Sequence, residues 1–447
     1  MTARHLLVVL SVLVFASSPQ AAIAQSSPPA SAACDEPSGA DAGCAPIHAP
    51  ASTPHDIISI WGGARETIAL RADGTVFTWG LNGCDPNHFT TGLCGKLGDG
   101  TTTDRSLPIE VHGPGNSGSL DSVTAIMGGE HDNLALRADG TLWAWGANFV
   151  GQLGTGNYTN TETPVQVTSL ISVTKLGGRG YHSLAVEANG TVWAWGWNKS
   201  GELGHDTTGQ ACPAPLFGTC SNVPVQVFGL TNPLTVTGGG FFSLALMPDH
   251  TLMGWGANNY GELGDASYTQ RAAPVHASAV LSHVVNISAG WTHAVALTDD
   301  GHVWTWGDNS KGEIGNGVTS TTGISVPYEV PGLQNVVGVS GGDSWTGALL
   351  ANGTVVTWGY NLFGQLGDGN FNDRSTPGVV PGLTNVKLFA ARDYHGIAVK
   401  QDGTVWDWGS GMNGELGNNA FSNSAVPVQV LFTAPPQWWL WEPLVSR

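Results

Sequence analysis

A Trp-Gly pair closes a short strand-like segment seven times along this chain of 447 residues, at intervals of 50 to 66 residues. Each pair is followed by the signature Gly-x-Leu-Gly, with Ile for Leu in the fifth copy. A motif that recurs in this way indicates a repeat architecture, in which each copy builds one structural unit. The seven pairs begin at Trp79, Trp145, Trp195, Trp255, Trp306, Trp358 and Trp408.

The segment before each Trp-Gly pair predicts a β-hairpin. In six copies it starts with Asp-Gly or Asn-Gly, a dipeptide that supplies the positive φ angles of a type I′ turn; the exception is at residues 249–250. In the third copy, Trp193 and Trp195 would share one face of the strand, opposite Val192 and Ala194. Such strands suit stacked sheets that are buried on both faces. We therefore predict an all-β fold, a seven-bladed β-propeller over residues 55–431.

Composition agrees with many short strands joined by turns. The chain has 63 Gly and 18 Trp, and only 11% of its residues are charged. Its formal net charge is −18, which repels phosphate backbones and anionic lipid heads. The sequence therefore predicts no nucleic-acid partner.

The N-terminus is typical of an export signal. Arg4 and His5 precede an apolar run, and small residues at Ala22 and Ala24 predict cleavage after residue 24. Residues 25–54 form a Ser/Pro/Ala-rich linker, and residues 432–447 form an aromatic tail. Because the apolar run is too short to span a bilayer and no second one follows, we expect no membrane anchor. The export signal predicts an extracellular or periplasmic protein. We also expect a monomer.

Six cysteines fall into three close pairs. Proximity and export favour three local disulfides, although six cysteines allow fifteen connectivities. The pairs are Cys34 with Cys44, Cys84 with Cys94, and Cys212 with Cys220. The spacings of zinc sites are absent, and the acidic segments at residues 98–104 and 367–373 lack the EF-hand ligand order, so ordinary turns are favoured there. We expect neither a metal nor a cofactor.

The units of the form "DGTVWxWGxNxxGxLG" resemble those of the regulator of chromosome condensation family. The resemblance covers about residues 55–430 and implies a seven-bladed propeller whose broad face binds partners. Family activities include guanine-nucleotide exchange with chromatin binding, ultraviolet-B reception and inhibition of β-lactamases. Export and acidity argue against the first, and only "GWTHA" at residues 290–294 approximates the repeated Trp motif of the second. The compartment matches the third, although its repeats are shorter, so we expect a secreted, bacterial-type member.

One slot of the family repeat, three residues before the Ala of the "AL" element in most copies, varies strongly in this chain. In members that bind a partner, residues at this slot lie toward the binding face. A His here could simply hydrogen-bond a neighbouring turn, but the other residue types cannot all replace that bond. The predicted partner-binding residues are Glu66, Asp132, His182, Phe242, His293, Trp345 and His395.

No catalytic motif emerges from the sequence, so we predict no enzyme. The favoured function is a secreted binding scaffold for a protein of unknown identity. The alternative is a carbohydrate or cell-wall binding module, with Trp197, Trp291 and Trp345 as exposed stacking platforms. An exchange-factor-like activity is the third possibility.

Ring closure gives a final prediction. In this reading, the Pro-x-x-Val segment that ends each copy joins the next blade as a strand. Residues 427–430 would then return to pair with residues 75–80 of the first blade, and the C-terminal tail would cover the seam.

Overall fold

The computed structural model describes residues 57–83, 94–205, 210–214, 216 and 218–432. All regular elements in these ranges are β-strands, which form seven antiparallel sheets. Six sheets have four strands, and the third has a short fifth strand. The predicted all-β, seven-bladed propeller is confirmed.

The strands follow the sequence blade by blade. Blade 1 contains β1 (Ile57–Gly63), β2 (Glu66–Arg71), β3 (Val76–Gly80) and β4 (Arg105–Glu110), and blade 2 contains β5 (Val123–Gly128), β6 (Asp132–Arg137), β7 (Leu142–Gly146) and β8 (Thr161–Gln166). Blade 3 contains β9 (Val173–Arg179), β10 (His182–Glu187), β11 (Val192–Trp197), β12 (Gln210–Ala211) and β13 (Thr219–Gln226). Blade 4 contains β14 (Thr235–Gly238), β15 (Phe242–Leu246), β16 (Leu252–Gly256) and β17 (Arg271–His276). Blade 5 contains β18 (Val284–Ala289), β19 (His293–Thr298), β20 (Val303–Asn309) and β21 (Ser320–Glu329). Blade 6 contains β22 (Val336–Gly341), β23 (Trp345–Leu350), β24 (Val355–Gly359) and β25 (Arg374–Val379). Blade 7 contains β26 (Val386–Ala391), β27 (His395–Lys400), β28 (Val405–Gly409) and β29 (Ser424–Gln429).

The second and third strands of each blade form the predicted hairpin. In the first, Gly74 has a φ of 84°, and Oδ1 of Asp73 accepts hydrogen bonds from the backbone and hydroxyl of Thr75. The turn thus satisfies its own polar groups. The first strand of each blade lies innermost, where β1 contacts both β5 and β26 around the central channel.

The core lies between neighbouring sheets, and the Trp of each Trp-Gly pair is its largest component. Trp145 in blade 2 is fully buried and packs with Ile68 and Leu70 of blade 1. Its indole Nε1 donates to the carbonyl of Lys96 in blade 1 at 3.0 Å. Burying about 150–250 Å² of such a ring is worth roughly 4–6 kcal/mol. Equivalent hydrogen bonds are made by Trp195, Trp255, Trp306, Trp358 and Trp408.

The predicted closure by a C-terminal strand is wrong. β29 pairs with β28 in its own blade, with Asp407 opposite Val428, and β4 pairs with β3. Each Pro-x-x-Val segment therefore stays with its own copy, because pairing nearby in sequence closes a short loop at low entropic cost. The ring closes by side-by-side packing of blades 7 and 1, where the Phe432 ring meets the ring of Phe77 at 5.5 Å.

The structure tests part of the cysteine prediction. Cys212 and Cys220 form a disulfide, as predicted. Cys94 is disulfide-bonded, whereas Cys84, Cys34 and Cys44 lie outside the described residues. The predicted signal peptide, linker and nearly all of the tail lie outside them as well. None of the regular structure in the described ranges is a helix that could cross a bilayer.

Candidate functional site

The seven slot residues occupy one structural position. Each is the first residue of the second strand of its blade and lies opposite the Gly of the Trp-Gly pair, as Glu66 does with Gly80. They therefore form a ring at one end of the propeller. We call this end the loop face; it is built from the turns between first and second strands. All seven side chains are at most 1% exposed, so a role in binding stays a prediction and would act through residues above them.

The three histidines of the ring join neighbouring blades. Nε2 of His182 is hydrogen-bonded to Oγ of Ser243 in the next blade at 2.8 Å, and Ser243 donates to the carbonyl of Glu202. Burial lowers the pKa of His182 to about 4, so the ring is neutral at pH 7. The same bond connects His293 with Thr346 and His395 with Thr67, both at 3.0 Å. Hydrogen bonding to a neighbouring blade thus accounts for the histidines.

The acidic members of the ring surround a buried lysine. Nζ of Lys96 lies 2.5 Å from Oε2 of Glu66, and both side chains are fully buried. Burial raises the pKa of Glu66 to about 8, and the charge of Lys96 opposes that rise. Burial also raises the pKa of Asp132, and the nearby Glu66 adds to the effect. This cluster supports blades 1 and 2 beneath the loop face.

Trp345, a predicted partner-binding residue and stacking platform, is part of the core. Its indole Nε1 donates to the carbonyls of Arg392 and Asp393 at 2.8 and 3.0 Å. Phe242 is equally buried, at 1% exposure. Both side chains therefore position the turns of the loop face and present no surface of their own.

The two exposed-aromatic predictions have different outcomes. Trp197 is only 8% exposed, so its predicted exposure is wrong: Tyr181 and the disulfide-closed segment of Cys212 and Cys220 pack against it. Trp291 is half-buried and keeps part of its ring at the surface.

Trp197 and Trp291 belong to a larger group, the aromatic patch, which extends over blades 2 to 5. The ring of Tyr181 lies at its centre, with centroids 6.1 Å from each of the other four rings. Three members remain partly exposed, namely Phe149, Phe241 and Trp291. The patch consists of Phe149, Tyr181, Trp197, Phe241 and Trp291.

Beside the patch, charged side chains close the channel at the loop face. Arg179 of blade 3 donates through Nη1 to the carbonyls of Ala289 and Gly341, at 2.8 and 2.7 Å, and through Nη2 to Oδ1 of Asp393 at 2.6 Å. One guanidinium thus spans to blades 5, 6 and 7. Burial raises the pKa of Asp343 to about 6, and Asp393 adds to the rise. Burial likewise raises the pKa of Glu130. We call Glu130, Arg179, Asp343 and Asp393 the charged centre.

The described residues offer no candidate metal site. No group of three His, Cys, Asp or Glu side chains there could hold a metal ion. The acidic segments considered for calcium form turns with ion pairs: Asp99 binds Arg105 at 2.5 Å, and Asp368 binds Arg374 at 2.9 Å.

The sequence reading missed most of this surface. It singled out Trp197 and Trp291, but not Phe149, Tyr181 or Phe241. Tyr181 and Phe241 stand directly before slot residues, at a position that also varies between copies. Variation at that second position was the signal that could have identified them.

The fold defines a class: a repeat scaffold of seven contiguous antiparallel blades, whose loop face is built from the turns between the first and second strands of each blade. The chain belongs to the regulator of chromosome condensation (RCC1) repeat family. The family's RCC1 profile matches residues 139–186, 189–246, 249–297, 300–349, 352–399 and 402–436, and a second profile of the same repeat matches residues 284–313.

Two similar relatives are eukaryotic. The chain is 29% identical over 330 residues to the ultraviolet-B receptor UVR8 of Arabidopsis thaliana, covering 72% of this chain and 70% of the receptor. It is also 29% identical over 318 residues to the E3 ubiquitin-protein ligase HERC2 of Homo sapiens, covering 70% of this chain but only 5% of the ligase. The assignment as a bacterial-type member stays a prediction.

Solved structures match the fold. Prp20p of Saccharomyces cerevisiae has a TM-score of 0.67 and 20% identity, with 85% of this chain and 89% of that chain covered. Human WBSCR16 has a TM-score of 0.64 and 22% identity, with 74% and 86% covered. At these identities the likeness defines the fold alone.

Proposed function

We propose that the protein is an exported, non-catalytic scaffold that binds a protein partner through the loop face. The aromatic patch is the observation that carries this proposal. Trp and Tyr dominate the energetics of protein interfaces when they are held rigidly and partly exposed. Here Tyr181 fixes the rings of Phe241 and Trp291, so these anchors lose little conformational entropy on binding.

Charged side chains beside the aromatic patch fit the polar rim that surrounds the apolar centre of a protein interface. The charged centre lies on the same face, and the chain has a net charge of −18, which favours a partner with basic residues at its periphery. Among structural relatives, Prp20p is described with binding properties toward Gsp1p and histones, and another structure shows Kap60 bound to it. Partner binding by this propeller type is consistent with the proposal for this chain.

A protein partner is preferred to a carbohydrate. A lectin needs exposed rings on which sugars can stack, but Trp197 and Trp345 are buried. Of the three platforms considered, only Trp291 keeps exposed surface. The aromatic patch is one continuous cluster over blades 2 to 5, whereas lectin propellers usually repeat one sugar pocket in each blade.

The test is a crosslinking pull-down from the extracellular or periplasmic extract of the source organism, with quantitative mass spectrometry. Wild-type protein and Phe228→Ala, a change at a half-exposed ring on the opposite end, should recover the same partner. The variant Phe241→Ala/Trp291→Ala should bind that purified partner at least tenfold more weakly, about 1.4 kcal/mol or more. Equal affinity of the double variant would exclude the patch. N-terminal sequencing of exported protein should begin at Gln25, and an intact N-terminus would contradict export.

A further inference from the structure

The central channel contains a cavity that the proposed binding role does not use. Its volume is about 100 Å³, and its walls combine apolar side chains of the innermost strands with Ser, Thr and Asn side chains. Ile60, Ile287, Val339 and Phe389 contribute to it from blades 1, 5, 6 and 7. Because one water molecule needs about 10–15 Å³ in such a cavity, the space is sufficient for roughly seven to ten waters or a ligand of similar size.

Arg392 lines this cavity at the end nearest the loop face. It is only 6% exposed, and its guanidinium carbon lies 4.1 Å from the ring centroid of Trp61. Its Nε is buried without a hydrogen-bond partner, and the ion pairs among the described residues do not include it. The neighbouring Arg179, by contrast, has an ion pair with Asp393.

The charge of Arg392 is only partly compensated. Burial lowers the pKa of its guanidinium to about 9, which still leaves it protonated at pH 7. A buried charge without an ion-pair partner is strongly unfavourable, and the cation-π contact with Trp61 offsets only part of that cost. An anion inside the cavity would supply the missing partner.

A second cation stands at the other end of the same strand. Lys387, near the start of β26, also lines the cavity and is half-buried. At about 3.4 Å per residue it lies roughly 17 Å from Arg392 along the strand. Between the two lie Leu388 and Phe389, both of which face the cavity. An anion entering past Lys387 would therefore pass the apolar side chains of Leu388 and Phe389 before it reached Arg392.

We propose that the channel binds a small monocarboxylate with an apolar body, its carboxylate on Arg392 and its body against Phe389 and Val339. A polyanion is disfavoured because the acidic side chains of the charged centre lie next to this end of the channel. The apolar walls distinguish this ligand from a bare inorganic anion, which could contact Arg392 but would leave the walls without a partner.

The probe for this site is octanoate, titrated into the purified full chain by isothermal titration calorimetry. Saturable binding of one octanoate is expected, with octylamine not binding and acetate binding at least tenfold more weakly. Arg392→Gln should raise the Kd for octanoate at least tenfold. Arg137→Gln, which removes an arginine paired with Asp121 away from the channel, should leave that Kd unchanged.

A second variant decides the outcome if Arg392→Gln does not fold. A Cβ at Gly338 would have only the Cβ of Leu349 nearby, at 3.8 Å, so Gly338→Leu can fill the cavity from its wall. It should weaken octanoate at least tenfold. The proposal is overturned if octanoate does not bind, if neither variant weakens it, if octylamine binds equally well, or if acetate or chloride binds as tightly as octanoate.

Discussion

Nε2 of His395 in the last blade lies 3.0 Å from Oγ1 of Thr67 in the first, so one buried hydrogen bond joins the two ends of the ring. The pairs His182–Ser243 and His293–Thr346 make the same contact between interior blades. The closing interface thus uses the general interblade contact of this propeller.

Removing the hydroxyl at the seam should destabilise the ring. Thr67→Val leaves Nε2 of His395 without its partner, and Nδ1 of the same ring already has none. A buried polar group left unsatisfied costs about 1–3 kcal/mol. We expect a loss of this size in the free energy of unfolding, measured by urea denaturation at pH 7.

Thr346→Val is the matched control at an interior interface. Thr346 makes the same contact with His293 and also donates to the carbonyl of Glu313 at 2.9 Å, so we expect a loss at least as large. A normal stability for Thr67→Val together with a clear loss for Thr346→Val would show that the seam does not depend on this bond.

The glutamates of the Gly-x-Leu-Gly signature should make the fold sensitive to alkaline pH. Burial raises the pKa of Glu202 from 4.5 to about 8, so the folded protein retains a proton that the unfolded chain has released. Stability from this group is therefore present below pH 4.5 and is lost as the pH rises through 8. Glu202→Gln should stabilise the protein by about 1–3 kcal/mol at pH 9 and change it little at pH 5.

The second copy provides the reverse experiment for that position. Oε1 of Gln152 accepts a backbone hydrogen bond from Val150, just as Oε2 of Glu202 accepts one from Ser200. Gln152→Glu should therefore lower the melting temperature at pH 9 more than at pH 5. Equal shifts at both pH values would contradict burial as the cause.

The buried pair of Lys96 and Glu66 should be sensitive to loss of one partner. Gln occupies the position of Lys96 in two other copies, so Lys96→Gln fits sterically but leaves Glu66 without its cation. Breaking such a pair costs about 3–5 kcal/mol. We expect the loss to approach that size only above the pKa of about 8 for Glu66, at pH 10, and to be smaller at pH 5, where Glu66 is protonated. Lys96→Gln/Glu66→Gln should recover much of it at pH 10 in thermal unfolding.

Phe432 should stabilise the seam through its ring. It meets Phe77 at 5.5 Å and Trp79 at 5.9 Å, both edge-on, which is a favourable aromatic geometry. Phe432→Ala should reduce the free energy of unfolding by about 1–2 kcal/mol. Leu431→Ala, at an adjacent and largely exposed side chain, should change it by less than about 0.5 kcal/mol.

The repeat in the sequence predicts the blades but not their boundaries. Seven Trp-Gly pairs define seven hairpins, and the structure contains all of them. A periodic sequence, however, has no marked start: residues 427–430 fit alternation equally well in their own blade or in the first one. Which pairing forms depends on loop closure and on packing that alternation does not encode.

At the candidate site, too, position in the repeat predicts where a side chain lies but not whether it is exposed. Position in the repeat places Glu66 and Trp345 correctly at one end of the ring, but the exposure of a residue depends on partners from other blades. Trp197 follows a terminal Gly and would be exposed in an isolated repeat. Tyr181 and the segment closed by Cys212 and Cys220 cover it, and neither contact follows from local periodicity.

Each blade takes all its strands from one continuous stretch of chain, and this has a consequence for synthesis. The hydrogen bonds of a blade can form as soon as its own copy has left the ribosome, since no strand waits for a distant segment. Neighbouring blades can then dock in order of translation and cover their apolar faces progressively. Only the contact between the first and last blades must wait for the seventh copy, so the faces that these two blades bury against each other stay exposed until synthesis is complete.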